Sequence, residues 1–304
     1  MKEGWHVTLA PADLVPAAIA HQRRTVGILV SCFEDERISA AAARRDVIAA
    51  LADRPIGRVI GLTGAPGVGK STLVGALAAS LIADGSSLAV VAIDPSSPIS
   101  GGAFLGDRTR VRFPPDEPRL FFRSQASHGQ LGGLAPSTFQ VCRLLARLYD
   151  TVLVETVGVG QSEIDVAHLA DATLLVMAPH AGDEVQFMKA GVMEVPDAFV
   201  LNKHDLGDGA ERAFAQLKGA LRMASPRERP IHRTSARTGH GIAALSSWIS
   251  AVAPGAFVAR EPAWFERWIS AEHGRGGVAR LAAAGGAAAF LAQHGGFDAA
   301  QLAF

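Results

Sequence analysis

The stretch Gly64-Ala65-Pro66-Gly67-Val68-Gly69-Lys70-Ser71-Thr72 constrains this chain more than any other. It satisfies G-x-x-x-x-G-K-[ST], follows an apolar run from Val59 to Thr63 and opens a helical pattern. That strand–loop–helix setting is the one in which such a loop cradles phosphate. Glycines at 64, 67 and 69 let the backbone wrap so that several N–H groups converge on the α- and β-phosphates of a nucleotide. The positive end of the following helix faces the same oxygens. Ala65, Pro66, Val68 and Thr72 complete the loop. Lys70 is placed to reach the β- and γ-phosphates, and the Ser71 hydroxyl to ligate the Mg²⁺ that bridges them. A glycine-rich turn with no ligand would not need Gly69, Lys70 and Ser71 together.

Such a loop belongs to an α/β chain, and the surrounding residues alternate short apolar runs with helical patterns, the rhythm of a parallel sheet covered on both faces. Strands are predicted near Val59 to Thr63, Leu88 to Ile93, Leu120 to Arg123, Thr151 to Glu155, Thr173 to Met177, Ala198 to Asn202 and Ile231 to Thr234. The expected fold is therefore a P-loop NTPase, α/β, with a mostly parallel sheet and helical N- and C-terminal extensions. Punctuation at Arg54-Pro55-Ile56-Gly57 and at Pro254-Gly255 divides it into a helical extension over 1–54, a nucleotide domain over 55–253 and a helical segment over 254–304. In the last, Trp264 and Trp268 stand one helical turn apart, which reads as core packing first and as a dimer or partner contact second. A helix-like pattern runs from Val278 to Leu291, with Gly285-Gly286 and Gly295-Gly296 as breaks.

Composition narrows the function classes. Lys plus Arg total 29 and Asp plus Glu total 29, so no net charge draws the chain to nucleic acid or an anionic membrane. The two cysteines, Cys32 and Cys142, form no C-x-x-C pair, and the ten histidines are scattered. A disulfide framework and a thiolate zinc site both lose ground. No uninterrupted apolar run reaches membrane-spanning length and no signal-peptide pattern opens the chain. The expectation is a soluble, cytoplasmic protein.

Asn202-Lys203-His204-Asp205 follows an apolar strand and reads as N-K-x-D. A carboxylate at Asp205 can accept both the N1–H and the 2-amino proton of guanine, whereas adenine turns a bare N1 acceptor toward it. Asn202 would buttress the loop and the Lys203 stem would cover the ring. Ser235-Ala236, after the next strand, stands where a backbone N–H meets the guanine carbonyl. The nucleotide is therefore expected to be GTP or GDP. Glu155 ends another strand, and Gly158 three residues on is placed to sense the γ-phosphate. Val159 stands where many small GTPases carry the glutamine that orients water, so slow intrinsic hydrolysis is expected. Gln161 and Glu163 could substitute, or could be ordinary polar residues of a helix start. Asp94 and Asp107 flank a Gly/Ser/Pro-rich loop; the residues read equally well as a magnesium-sensing pair or as a turn residue and a helix cap.

Together these stretches resemble the MeaB/ArgK GTPases, which accompany adenosylcobalamin-dependent acyl-CoA mutases. The resemblance rests on Thr63 to Thr72, on Asp94-Pro95-Ser96-Ser97 with Gly101-Gly102 and Leu105-Gly106-Asp107, and on Val154 to Glu163. It extends through Ala181-Gly182-Asp183-Glu184, Gln186, Lys189 and Gly191 to Asn202, Lys203 and Asp205. It implies a chaperone GTPase that docks on a mutase, gates cofactor delivery by nucleotide state and helps eject inactivated cofactor. It also implies a cobalamin adenosyltransferase as a further partner, and a homodimer. Lys70, Asp94, Asp107 and Glu155 would be its catalytic set, with Ser71, Asp94, Asp107 and Glu155 around Mg²⁺. Gly182, Asp183, Gln186 and Lys189 would form a switch that carries partner signals back to the nucleotide. His180, Phe187 and Ala190 depart from the residues usual in that switch, and the carboxy-terminal part is shorter and richer in glycine than the family's arm. Three rivals are a kinase of periplasmic binding proteins, a metal-insertion GTPase and, since Val159 leaves the water-positioning role vacant, a nucleotide-gated binding module with negligible turnover. The first would need a base for a substrate hydroxyl, and the second is disfavoured by the absence of a histidine-rich tract.

Overall fold

The computed structural model describes residues 10–94, 117–126, 134–156, 162–179, 195–224 and 228–304. Packing divides the chain into two compact units, one of Gly57–Ala135 with Tyr149–Phe257 and one of Met1–Ile56, Pro136–Leu148 and Val258–Phe304. The strands are β1 (Arg58–Thr63), β2 (Leu88–Asp94), β3 (Leu120–Ala126), β4 (Thr151–Glu155), β5 (Ala172–Met177), β6 (Ala198–Leu201) and β7 (Ile231–Arg233). The helices described are α1 (Val15–Ile19), α2 (Arg23–Glu34), α3 (Ala41–Ala50), α4 (Lys70–Ala83), α5 (Pro136–Leu148), α6 (Ser162–Ala167), α7 (Asp208–Ala224), α8 (Ile242–Ala251), α9 (Glu261–Ala283), α10 (Gly286–His294) and α11 (Phe297–Ala303).

In the first unit the strands form one sheet in the order β3-β2-β4-β1-β5-β6-β7. Every described pairing in it is parallel, where the sequence suggested a mostly parallel sheet. β1, β2, β4, β5 and β6 read as near-continuous apolar runs because both of their faces are covered. Ile60, Leu62, Leu153, Leu174 and Val176 pack under Leu73, Val74 and Leu77 of α4 and Leu245 and Ile249 of α8. On the other face Leu175, Met177, Phe199 and Leu201 pack under Ala213, Leu217 and Leu221 of α7. Each such buried side chain contributes about 1.5–3 kcal/mol of transfer free energy.

In the second unit Val26, Leu29, Val30 and Phe33 of α2 lie at i, i+3, i+4 and i+7 and are all buried, as one apolar helical stripe requires. Trp264 and Trp268 of α9 are buried as well, and Trp264 stacks on Phe139 of α5 with ring centroids 5.5 Å apart. The stretch from Val278 to Leu291 is not one helix. Left-handed backbone at Gly285 (φ 92°) and Gly286 (φ 84°) ends α9 and starts α10, a conformation that glycine adopts without steric cost. Among the described residues no single helix is long and apolar enough to cross a membrane.

A candidate nucleotide site

β1 lies between β4 and β5, and the chain leaves β1 through α4 toward β2 on one side of the sheet, to return later on the other. The carboxyl end of β1 is thus the point where the winding reverses, and ligands of open parallel sheets collect there. The loop after β1 carries φ of 142° at Gly64, 81° at Gly67 and 95° at Gly69. A Cβ on Gly64 would stand 2.1 Å from the Val176 carbonyl oxygen, and one on Gly69 2.7 Å from Asn202 Nδ2. The loop can close onto β5 and onto Asn202 only with glycine at those two positions. Lys70 opens α4 and is 8% exposed. Its ammonium donates to the carbonyls of Gly64 at 2.6 Å and Ala65 at 3.1 Å, both within its own loop.

Asn202, just past β6, fastens three segments together. Its Nδ2 donates to the Val68 carbonyl at 3.0 Å, while its Oδ1 accepts from the Ala236 N–H at 3.2 Å and the Thr234 hydroxyl at 3.3 Å. Lys203 holds a left-handed backbone (φ 59°) and donates from Nζ to the Gly67 carbonyl at 2.7 Å. A non-glycine residue in that region is uncommon and marks a position that its surroundings hold in place. Asp205 accepts from the Ser235 hydroxyl at Oδ1 (2.6 Å) and from Arg237 at Oδ2 (2.8 Å). The Ser235 bond, helped by the Arg237 guanidinium, holds its carboxyl below the usual carboxylate range. Asp205 is therefore an acceptor throughout the neutral range. Gly69, Thr72, Asn202, Lys203, Asp205, Leu206, Ala236 and Arg237 line a cleft of about 260 Å³. Of these, Leu206 and Arg237 were not singled out in the sequence. Arg237 directly follows Ser235-Ala236, and that adjacency was the only available signal.

At the carboxyl end of β4, Glu155 is buried and accepts from the Ser71 hydroxyl at 2.8 Å. The pair is made of oxygens alone, the donor chemistry that suits Mg²⁺. Beside it the hydroxyls of Thr63 and Thr156 meet at 3.1 Å. Asp94 ends β2, is buried, and accepts a hydrogen bond at Oδ2 from the Ser124 hydroxyl of β3. Asp107, Gly158, Val159, Gly182, Asp183, Gln186 and Lys189 lie outside the described residues, as do the side chain of Glu163 and the whole of Gln161.

Residues 29–254 match the family described as methylmalonyl Co-A mutase-associated GTPase MeaB. The chain belongs to the MeaB family of GTPases. A MeaB-family chain is thus expected among GTPases by sequence, and the relatives agree. A protein of Pyrococcus abyssi that bears the name GTPase is 40% identical over 240 residues, covering 77% of this chain and 73% of that protein. GTPase ArgK of Escherichia coli is 45% identical over 52% of this chain and 48% of its own length. The mouse methylmalonic aciduria type A homolog, a mitochondrial protein, is 40% identical over 62% of this chain and 47% of its own. Among solved structures, one titled LAO/AO transport system kinase superposes with a TM-score of 0.66 at 25% identity, covering 92% of this chain and 88% of that one. HypB from Helicobacter pylori shares the sheet fold, with a TM-score of 0.51 at 18% identity over 69% of this chain and 91% of that one. This MeaB-family chain is therefore a GTPase, which binds guanine nucleotide and hydrolyses GTP.

Proposed function

We propose that this chain is a Mg²⁺-dependent GTP switch that chaperones an adenosylcobalamin-dependent acyl-CoA mutase, gating cofactor delivery and protecting or reactivating the mutase. The match of residues 29–254 to a mutase-associated family carries the reading, and the similarity to the methylmalonic aciduria type A homolog supports it. The protein would act in the cytoplasm as a homodimer, with a cobalamin adenosyltransferase as a further partner.

In this reading the backbone N–H groups from Gly64 to Thr72 bind the phosphates, and Lys70 moves its ammonium from the Gly64 and Ala65 carbonyls to the β- and γ-oxygens. Ser71 and Glu155, with Asp94 and Asp107, would hold Mg²⁺, which supplies neutralisation of the charge on the phosphate oxygens. The Ser71–Glu155 bond fixes the hydroxyl at the head of α4, so two of the proposed metal oxygens are already held together. Gly158 would sense the γ-phosphate, and Gly182, Asp183, Gln186 and Lys189 would relay the partner's presence. Guanine binds by trading places with Arg237 on the Asp205 carboxylate, while Ala236 N–H turns to its carbonyl. The trade is cheap, since Arg237 is 79% exposed and exposed ion pairs contribute about 0–1 kcal/mol.

Asp205→Asn tests the base assignment. An amide must present a donor where guanine also donates, so GTP affinity is expected to fall by roughly 10²-fold or more, each hydrogen bond to a charged group contributing about 1.5–3 kcal/mol. Xanthine nucleotide, with a carbonyl in place of the 2-amino group, is expected to gain. Competition binding of GTP against XTP reads both, and an unshifted ratio would remove Asp205 from base recognition.

The chaperone reading is tested by measuring GTP hydrolysis by the chain alone and with a panel of methylmalonyl-, isobutyryl-, ethylmalonyl- and hydroxyisobutyryl-CoA mutases. One mutase is expected to raise a slow basal rate. Its complex is expected to differ in affinity between the GTP and GDP forms by roughly 5–150-fold, the usual span of coupling between sites. If none of them binds or stimulates while GTP still binds, the partner assignment fails. The likeness to a structure titled as a transport system kinase then gives the second reading, checked by phosphoryl transfer to a periplasmic binding protein.

A further inference from the structure

The strand register sets four side chains on one face of the sheet at the nucleotide end. Ala92 of β2 pairs with Glu155 of β4 on one side and with Ser124 of β3 on the other. Asp94 is two residues beyond Ala92, and residues two apart on a strand share a face. Glu155 also pairs with Leu62 of β1, whose side chain belongs to the core beneath α4. Ser124, Ala92, Asp94 and Glu155 therefore all face α4, the helix that presents Ser71. In the strand register Ala92 stands between Ser124 and Glu155. Asp94, one pleat further toward the carboxyl ends, reaches back across the ladder, and its Oδ2 accepts from the Ser124 hydroxyl.

We propose that Ser124 is a positioning residue for the magnesium-region carboxylate Asp94, fixing the orientation in which that buried group meets the metal-bound nucleotide. The proposal rests on the reading of Asp94 given above. A carboxylate has two oxygens that turn together about χ2, so a hydroxyl held on one oxygen biases where the other points. β3 is an edge strand of the sheet and supplies no residue to the phosphate loop, yet its Ser124 hydroxyl reaches the carboxylate that the proposal places in the metal region. Groups that orient metal ligands in this way typically carry 10–100-fold in metal affinity or activity.

The experiment follows the release of N-methylanthraniloyl-GDP from the full chain as Mg²⁺ is titrated, with the same release measured in EDTA. Ser124→Ala is expected to raise the Mg²⁺ concentration for half-maximal retention roughly 10–100-fold while leaving release in EDTA unchanged. Ser124→Thr, which keeps the hydroxyl, is expected to restore it. An unchanged Mg²⁺ requirement in Ser124→Ala, beside a shifted one in Asp94→Ala, would overturn the role of Ser124 alone. If Asp94→Ala also leaves the requirement unchanged, the metal reading of Asp94 fails and the proposal falls with it. Faster release in EDTA that threonine does not rescue would mean damage to the fold, and that too overturns a positioning role.

Discussion

Lys70→Ala is expected to lower GTP affinity by about 10²-fold or more and to slow single-turnover hydrolysis by a further 10²–10³-fold, the usual cost of removing one preorganised donor from developing charge. The structure gives the reason for both parts. Lys70 sits at the head of α4, buried, with its ammonium on the carbonyls of Gly64 and Ala65. Those carbonyls belong to the loop proposed here to receive phosphate, so the ammonium is held, largely buried, where that proposal needs it. In the proposed site, its transfer to the β- and γ-oxygens exchanges two neutral acceptors for anionic ones and pairs a buried ammonium with opposite charge. Alanine also removes a donor from the Gly64 and Ala65 carbonyls, which adds a cost to the loop itself. Titration calorimetry with a slowly hydrolysed GTP analogue and rapid-quench hydrolysis measure the two effects separately. An unchanged affinity would contradict the phosphate assignment. A lost affinity with an unchanged rate at saturation would confine Lys70 to ground-state binding.

The parts of this site legible in the sequence are those in which local backbone geometry dictates residue type. Gly64, Gly67 and Gly69 stand out because of their positive φ values, and at Gly64 and Gly69 the close approach of Val176 and Asn202 also leaves no room for a side chain. Asn202 and Asp205 stand out because the residues they hold lie at fixed offsets from strand ends. The strands themselves are legible because a sheet covered on both faces writes short, nearly unbroken apolar runs, as in Leu88–Asp94 and Thr151–Glu155. Ser124 leaves no such trace. Its link to Asp94 exists only through the register of β2 on β3, and nothing in local spacing encodes which residue of one parallel strand faces which of another. The same holds for α5. Its amphipathic pattern announces a buried face but not the surface that buries it, and it groups with the terminal helices although it lies between β3 and β4 in sequence. Chain punctuation near residues 55 and 254 carries no information about such a grouping.

The second large effect is on stability. Asp298→Ala in α11 is expected to destabilise the helical unit by roughly 3–5 kcal/mol, the cost of removing one partner from a buried ion pair. Asp298 is 3% exposed and Arg44 of α3 is 2% exposed, with Nε of Arg44 3.1 Å from Asp298 Oδ1. The other carboxylate oxygen meets Arg143 of α5 at 2.9 Å, and Arg143 also pairs with Glu261 of α9 at 3.2 Å. Arg44 keeps Gln301 Oε1 at 2.7 Å and the Asp35 carbonyl as neutral acceptors. Without Asp298, then, a buried guanidinium loses its counter-charge while its position stays fixed by helices packed around Phe33, Phe139 and Phe297. Arginine cannot escape by deprotonating, so the whole penalty appears in the folded state. Asp46→Ala is the control, since its pair with Arg45 is about half exposed on both sides and such pairs contribute at most about 1 kcal/mol. Urea denaturation followed by the fluorescence of Trp264 and Trp268, both buried in this unit, reads the difference. The double variant Arg44→Met with Asp298→Leu separates the cost of a broken pair from the worth of an intact one. If burial of charge is the source of the loss, the double variant recovers most of it, because well-packed apolar side chains replace buried ion pairs at little or no cost. If Asp298→Ala falls within about 1 kcal/mol of the unaltered protein, water reaches Arg44 and the network is not the buried tie that joins α3, α5, α9 and α11.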